Sequence, residues 1–129
     1  MDDNIQSDYK CNLVFGKELT TKLRDNLNSV DRKRFPDGTM YIGIAKDKFI
    51  IEIPNFEDEI CHQIDISKDE FDEFINNHKD EDYKDIFMFN YELDMFMIRI
   101  GGGKSDKLNS FTKETFIIHV TNDSKIIIG

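Results

Sequence analysis

Apolar residues in the first half of the chain follow two periods, one of about 3.6 residues and one of two. Leu19, Leu23, Leu27 and Val30 recur at intervals of four, four and three residues, which predicts one face of an amphipathic helix. Alternating or continuous apolar runs predict strands. These runs lie at 11–15, 40–45, 49–53 and 60–66. The second and third runs flank a short polar turn and therefore predict a hairpin, which Pro54 ends.

A second helix is predicted to begin at Ser67. Ser67 can cap the helix, and Glu70, three residues later, completes a capping box. The inner stripe of this helix would consist of Phe71, Phe74, Ile75 and His78. Its outer face would carry Asp69, Asp72, Glu73, Asn76 and Asp80.

Period-two patterns return in the last third of the chain. Every second residue from 87 to 97 is apolar, which predicts a long strand with one polar face. Over 96–100 both faces become apolar, so this end is expected to be covered twice or to lie in an interface. Two further runs, 116–121 and 124–128, flank the turn signal Asn122-Asp123 and predict a C-terminal hairpin.

The order of these elements predicts the fold class. One strand, a helix, three strands, a helix and three strands indicate a single α+β domain over residues 1–129. We expect a mainly antiparallel sheet of six or seven strands with two helices packed against it. A chain of 129 residues can bury about two thirds of its unfolded surface and needs no staple. Residues 1–9 are expected to form a flexible N-terminus.

The net charge is concentrated between Glu57 and Asp85. The whole chain has 26 acids and 17 lysines or arginines, a formal charge of −9. Residues 57–85 contain twelve of these acids and three lysines, so they carry the entire excess and the remainder is formally neutral. A concentrated negative field repels phosphate and attracts basic protein surfaces. Arg32, Lys33 and Arg34 are too few to predict direct nucleic-acid binding.

The charge predicts a basic protein partner, and a nuclease or another enzyme that handles nucleic acids fits best. The chain would then be a small acidic inhibitor, comparable in size and charge to bacterial immunity proteins, antitoxins and phage anti-defence (anti-CRISPR) proteins. The residues expected to bind the partner are Glu57, Asp58, Glu59, Asp69, Asp72, Glu73, Asp80, Glu81, Asp82 and Asp85. The alternative is that these acids form a solvated face and favour the positive end of the predicted helix dipole.

No motif in the chain identifies a reaction. The sequence 101–105 resembles a phosphate-binding loop, but Ile98 stands where that motif requires glycine, and no helical pattern follows. The three histidines lack metal-ligand spacing. The acidic run 80–85 resembles a calcium loop, yet Asp85 and Tyr91 occupy the positions that require glycine and a bidentate glutamate. We therefore predict no metal, no cofactor and no catalytic residue.

Two other functions stay open at this point. The first is a small-ligand-binding domain, with a pocket lined by Met88, Met95, Phe96 and Met97 and closed by the glycine loop. The second is an enzyme whose carboxylate acid/base pair is hidden among the 26 acids.

Cysteine use and hydropathy indicate the compartment. Cys11 and Cys61 lack CxxC spacing and suit a reducing cytoplasm better than a secreted scaffold. The acidic start of the chain has no apolar stretch typical of a signal peptide. No run approaches the roughly 18 apolar residues of a membrane span.

The C-terminal strand predicts contact with a second copy of the chain. The run Lys125-Ile126-Ile127-Ile128 places isoleucines on both faces, and the last strand of a hairpin is placed where a sheet edge is expected. A homodimer through this edge is one interpretation, and a buried central strand is the other.

Overall fold

The computed structural model describes residues 9–77, 87–101 and 114–129. Within these ranges the chain forms eight strands, two helices and a 3-10 turn at Lys68–Glu70. The strands are β1 (Tyr9–Phe15), β2 (Thr39–Ile44), β3 (Lys48–Asn55), β4 (Ile60–Ser67), β5 (Glu73–Asn76), β6 (Phe87–Glu92), β7 (Phe116–Thr121) and β8 (Ile126–Ile128). The helices are α1 (Lys17–Asn28) and α2 (Leu93–Arg99). Of the predicted flexible N-terminus, only Tyr9 is described, and it begins β1.

The strands form two antiparallel sheets of four strands each. One sheet has the order β5-β1-β7-β8 and the other the order β4-β3-β2-β6. The α+β class, the antiparallel pairing and the number of helices are thus confirmed. The expected count of about six or seven strands is slightly low, and the eight described strands divide between two sheets.

The two sheets are interlocked by the order of the chain. The segments β1-α1-β2-β3 and β6-α2-β7-β8 repeat one arrangement of strand, helix and hairpin. The first strand of each segment pairs with the hairpin of the other, since β1 pairs with β7 and β6 pairs with β2. Neither segment can therefore complete a sheet alone.

The core lies between the sheets and is rich in aromatic rings. Phe15 of the first sheet stacks on Phe116 at a centroid distance of 4.0 Å. The same ring makes an edge contact with Phe49 of the second sheet at 5.3 Å. All three rings are almost completely buried. Large aromatic side chains dominate core energetics, so Phe15 joins the two sheets at the centre of the fold.

Helix α1 confirms the prediction made from the leucine spacing. Leu19, Leu23 and Leu27 are buried, and Val30 is buried just beyond the helix. Thr20 is buried as well, and its hydroxyl donates a hydrogen bond to the Phe15 carbonyl oxygen at 3.1 Å. The apolar stripe and this bond seat α1 against the end of β1.

The helix predicted after Ser67 is wrong. The capping box does form, because the Ser67 N–H donates to Glu70 Oε2 at 3.2 Å and the Ser67 hydroxyl accepts from the Asp69 N–H at 3.4 Å. It caps only the 3-10 turn, after which β5 pairs with β1. Phe74 packs against the core while Ile75 is exposed, so the residues alternate as in a strand. Phe71 is followed by apolar residues three and four positions later, a pattern that does not by itself distinguish a helix from a strand. Pairing with β1 makes this segment a strand.

The strand predicted over 87–97 is correct only as far as Glu92. From Leu93 the chain is helical, and Leu93, Phe96 and Met97 form its buried stripe. The Leu93 N–H donates to the Gly38 carbonyl oxygen at 2.7 Å, which satisfies one of the unpaired amides at the start of α2. The strand predicted over 93–97 is therefore wrong. Its apolar residues fit a period of two, but Leu93, Phe96 and Met97 also fit helical spacing, and the chain is helical here.

Both predicted hairpins are confirmed. Strands β2 and β3 pair around residues 45–47, although β3 continues past Pro54 to Asn55. Strands β7 and β8 pair around residues 122–125, and β8 lies at the edge of its sheet. The strand predicted at 60–66 is β4, with Ile64 and Ile66 buried.

Candidate protein-binding turn

The predicted partner-binding acids do not share one surface. Glu57, Asp58 and Glu59 lie in the turn between β3 and β4, whereas Asp69, Asp72 and Glu73 follow β4. Strand β4 has eight residues, which at about 3.3 Å per residue separates the two groups by roughly 26 Å. Asp80, Glu81, Asp82 and Asp85 lie outside the described residues. The acidic helical face expected from the sequence is therefore replaced by two separate groups.

Two of the acids after β4 are engaged within the fold. Glu73 Oε1 accepts a hydrogen bond from Asn12 Nδ2 at 2.6 Å. The Asp72 carboxylate lies over Gly16, so close that a Cβ on Gly16 would be 2.5 Å from Asp72 Oδ1. Gly16 is the N-cap of α1, where a negative charge is favoured by the helix dipole. These two residues have a structural role that the sequence did not reveal.

Asn55 fixes the conformation of the turn before β4. Its Oδ1 accepts hydrogen bonds from the backbone N–H groups of Glu57 and Asp58, at 3.0 and 3.2 Å. Its Nδ2 donates to the Arg34 carbonyl oxygen at 2.6 Å and to Asp58 Oδ2 at 3.2 Å. An asparagine that bonds to the backbone two residues later is typical of a tight turn. The backbone of the turn is thereby held in one conformation.

Phe56 protrudes from this turn. Its exposed fraction is 72%, the highest among the exposed large apolar side chains of the described residues. The three residues that follow it are the exposed acids Glu57, Asp58 and Glu59. We call residues 56–59 the acidic turn. Phe56 is not among the residues predicted from the sequence. An aromatic residue that lies among turn residues, outside any apolar period, is a signal that could have found it.

Neither cysteine has the lowered pKa of a reactive thiol. Burial raises the pKa of the Cys11 thiol to about 12. Burial and the nearby charge of Glu52 also raise the pKa of Cys61. Both thiols are thus protonated at neutral pH and poorly nucleophilic. Across the described ranges, no three His, Cys, Asp or Glu side chains are placed to hold a metal ion together.

The four residues expected to line a ligand pocket differ in burial. Phe96 and Met97 are buried in the core, whereas Met88 on β6 and Met95 on α2 are exposed. Gly101 has a φ of 82°, which favours glycine, but residues 102–105 of the glycine loop lie outside the described residues. In the described part of the chain, no helix combines the length and apolar character needed to cross a membrane.

Comparison with known proteins relates the chain to others by fold alone. No protein-family model matches it, and no curated protein matches it in sequence. Its fold resembles part of DNA polymerase III subunit beta from Borrelia burgdorferi, solved in complex with a natural product. The TM-score is 0.57 and the sequence identity 8%, and the match covers 94% of this chain and 27% of the beta subunit. It also resembles part of the beta subunit from DNA polymerase of Streptococcus pyogenes, with a TM-score of 0.51 and 14% identity over 93% of this chain and 30% of that one. The chain therefore spans less than a third of the length of these beta subunits and has the fold of that part.

Proposed function

We propose that this chain is a binding protein that inhibits a basic, nucleic-acid-handling enzyme by docking its acidic turn on the enzyme's phosphate-binding surface. The observation that carries the proposal is Phe56, exposed at 72% and followed directly by three acids. Aromatic residues, including Phe, are enriched at the buried centre of protein interfaces. The adjacent carboxylates match Lys and Arg side chains that otherwise bind phosphate.

The acidic turn is suited to this role because its backbone is already ordered. The Asn55 hydrogen bonds hold the turn in the free protein, so less entropy is lost on docking. Concentrated negative charge also accelerates encounter with a basic surface and weakens as salt is added. In this proposal Phe56 supplies affinity, while Glu57, Asp58 and Glu59 supply orientation and rate.

Two further observations support a binding role inside the cell. Both cysteines are free thiols, which suits a reducing compartment such as the bacterial cytoplasm. The proteins of similar fold are named as subunits of DNA polymerases, and a subunit works by association with other chains. In this proposal the protein acts by contact and carries out no reaction.

The test uses the tagged chain to capture partners from a bacterial lysate, with quantitative mass spectrometry. The variants are Phe56→Ala and Glu57→Lys, and the charge-matched control is Asp69→Lys, an exposed acid at the other end of β4. We expect a basic enzyme in the wild-type and control samples and its loss, by at least about tenfold, with either turn variant. The purified enzyme should then lose activity when the wild-type chain is added at low salt.

Two results would overturn the proposal. One is capture that depends equally on Asp69 and on the acidic turn, which would indicate a general charge effect. The other is full activity of the captured enzyme when it is saturated with the chain. Circular dichroism of each variant serves as the control that the fold is retained.

A further inference from the structure

The outer edge of β8 has hydrogen-bonding groups without a partner in the described residues. Strand β8 is last in the order β5-β1-β7-β8. Ile117 and Gly129 exchange two hydrogen bonds of 2.9 Å, and the Thr121 N–H donates to the Lys125 carbonyl oxygen. Bonded and non-bonded pairs alternate in an antiparallel ladder, so the N–H and C=O groups of Ile126 and Ile128 point away from β7. The edge offers two donors and two acceptors.

The side chains of β8 do nothing to protect this edge. Ile126 packs against the core, Ile128 is buried, and Ile127 is exposed at 44% on the opposite face. Proteins usually shield edge strands by keeping them very short or with charges, prolines or bulges. Strand β8 has three residues and therefore only the first of these protections. Between Lys125 and Gly129 there is no charged residue and no proline. The other edge of this sheet, β5, begins with Glu73, and the edge strand β4 contains Asp65.

Charge also favours β8 over β5, the other edge of the same sheet, for contact between two copies. The acids that give the chain its net charge lie between Glu57 and Asp85. Strand β5 is three strand spacings from β8, about 14 Å at 4.8 Å per spacing. The turn beside β8 carries one ion pair, Lys125 with Asp123, at 3.7 Å. Two chains of charge −9 repel least where this locally balanced edge meets itself.

We propose that two copies of the chain pair through β8, antiparallel, about a two-fold axis at Ile127. This register uses all the free backbone groups, because Ile126 lies opposite Ile128 of the partner subunit and each such pair exchanges two bonds. Ile127 then faces Ile127 of the partner subunit in a non-hydrogen-bonded pair. The two four-stranded sheets become one continuous sheet of eight strands.

A cysteine at the axis tests this register directly. The Cα atoms of a non-hydrogen-bonded pair are about 4.5 Å apart, close enough for a disulfide. Ile127→Cys in a Cys61→Ser background, treated with oxidised glutathione, should give a covalent dimer. The matched control is Ile75→Cys in the same background, since Ile75 is exposed at 40% on the opposite edge of the sheet. It should stay uncoupled under the same conditions.

Light scattering supplies the second measurement. The wild-type chain should have about twice its monomer mass of 15.2 kDa at high concentration, and Ile127→Lys should return it to that mass. A wild-type chain that stays monomeric overturns the proposal, as does coupling of Ile75→Cys equal to that of Ile127→Cys. If Ile127→Lys fails to fold by circular dichroism, the comparison of the two cysteine variants decides.

Discussion

Asn12 on β1 and His119 on β7 lie directly opposite each other, and each has a buried polar atom with no hydrogen-bond partner in the described residues. The atoms are Asn12 Oδ1 and His119 Nδ1. The Tyr9 ring stacks over His119 at a centroid distance of 4.2 Å. An unsatisfied buried polar atom costs about 1–3 kcal/mol, so this pair is a local weakness of the fold.

Replacing His119 with phenylalanine should therefore stabilise the protein. A phenyl ring can keep the stack with Tyr9 and removes the unpaired nitrogen, so we expect the free energy of unfolding to rise by about 1 kcal/mol. The control is His62→Phe, because His62 Nε2 bonds to Asn26 Oδ1 at 2.8 Å and its loss should destabilise. Urea denaturation measures both changes. Equal destabilisation by the two substitutions would contradict the expectation.

His119 should also make stability depend on pH. Burial lowers the pKa of His119 below its ordinary value, so the unfolded chain takes up a proton at higher pH than the folded chain. The free energy of unfolding then rises with pH between the two values. Above the unfolded pKa of about 6.5, His119 is neutral in both states and the free energy of unfolding is highest. It falls as the pH drops from there through the lower pKa of the folded chain. We expect denaturation at pH 7.5, 6.5 and 5.5 to show that the stability advantage of His119→Phe over the wild type grows as the pH falls. The same difference in the free energy of unfolding at all three pH values would disprove this.

Asp72 and Gly16 should be energetically coupled. Alanine at Gly16 would force the Asp72 carboxylate away from the start of α1, where the negative charge contributes about 0.3–1 kcal/mol. Gly16→Ala should therefore destabilise the wild type more than it destabilises Asp72→Ala. A double-mutant cycle should give a coupling of about 0.5–1 kcal/mol. Additive effects would show that the carboxylate does not interact with this helix end.

The ion pair between Lys22 and Glu70 should affect titration more than stability. Lys22 Nζ donates to Glu70 Oε1 at 2.9 Å and lowers the pKa of that carboxyl. Lys22→Met should raise the Glu70 pKa towards its ordinary value, as measured by carbon NMR of the carboxyl. The pair is exposed, so the free energy of unfolding should change by less than about 1 kcal/mol. The small stabilisation is present above the unfolded pKa and is lost as the pH falls below it.

A matched substitution separates this contact from a general charge effect. Lys17 forms a different ion pair, with Glu114 at 3.6 Å. Lys17→Met removes the same charge from the same helix and should leave the Glu70 pKa unchanged. An equal shift in both variants would show that net charge, and not the contact with Lys22, lowers that pKa.

The elements that the sequence predicted correctly are those in which local signals agree. The leucines of α1 recur only at helical spacing, and both hairpins combine apolar runs with recognised turn residues. Residues 71–76 fit a helix or a strand, and only pairing with β1 decides. Leu93, Phe96 and Met97 have helical spacing. Leu93, Met95 and Met97, however, also continue the period-two run from Phe87. The division into two sheets depends on β1 meeting β7, which no local pattern encodes.

The candidate site was predictable only in part. The acids were visible as a charge run, but the sequence could not show that β4 separates them or that Asp72 and Glu73 are engaged by Gly16 and Asn12. Phe56 belongs to no periodic pattern, and its exposure follows from the turn that Asn55 orders. The partner-binding role of Glu57, Asp58 and Glu59 stays a prediction.

The order of the strands delays the pairing of β1 with β7 while the chain is being synthesised. Leu13 of β1 pairs with Ile118 of β7, so the ladder between these strands needs residues that lie about a hundred positions apart in the chain. At roughly 5–20 residues per second, a ribosome takes on the order of 5–20 s to make that stretch. Until then β1 can pair only with β5, and its other side stays open to wrong partners. Folding of this small domain should therefore be slow for its size, because its central pairings are non-local.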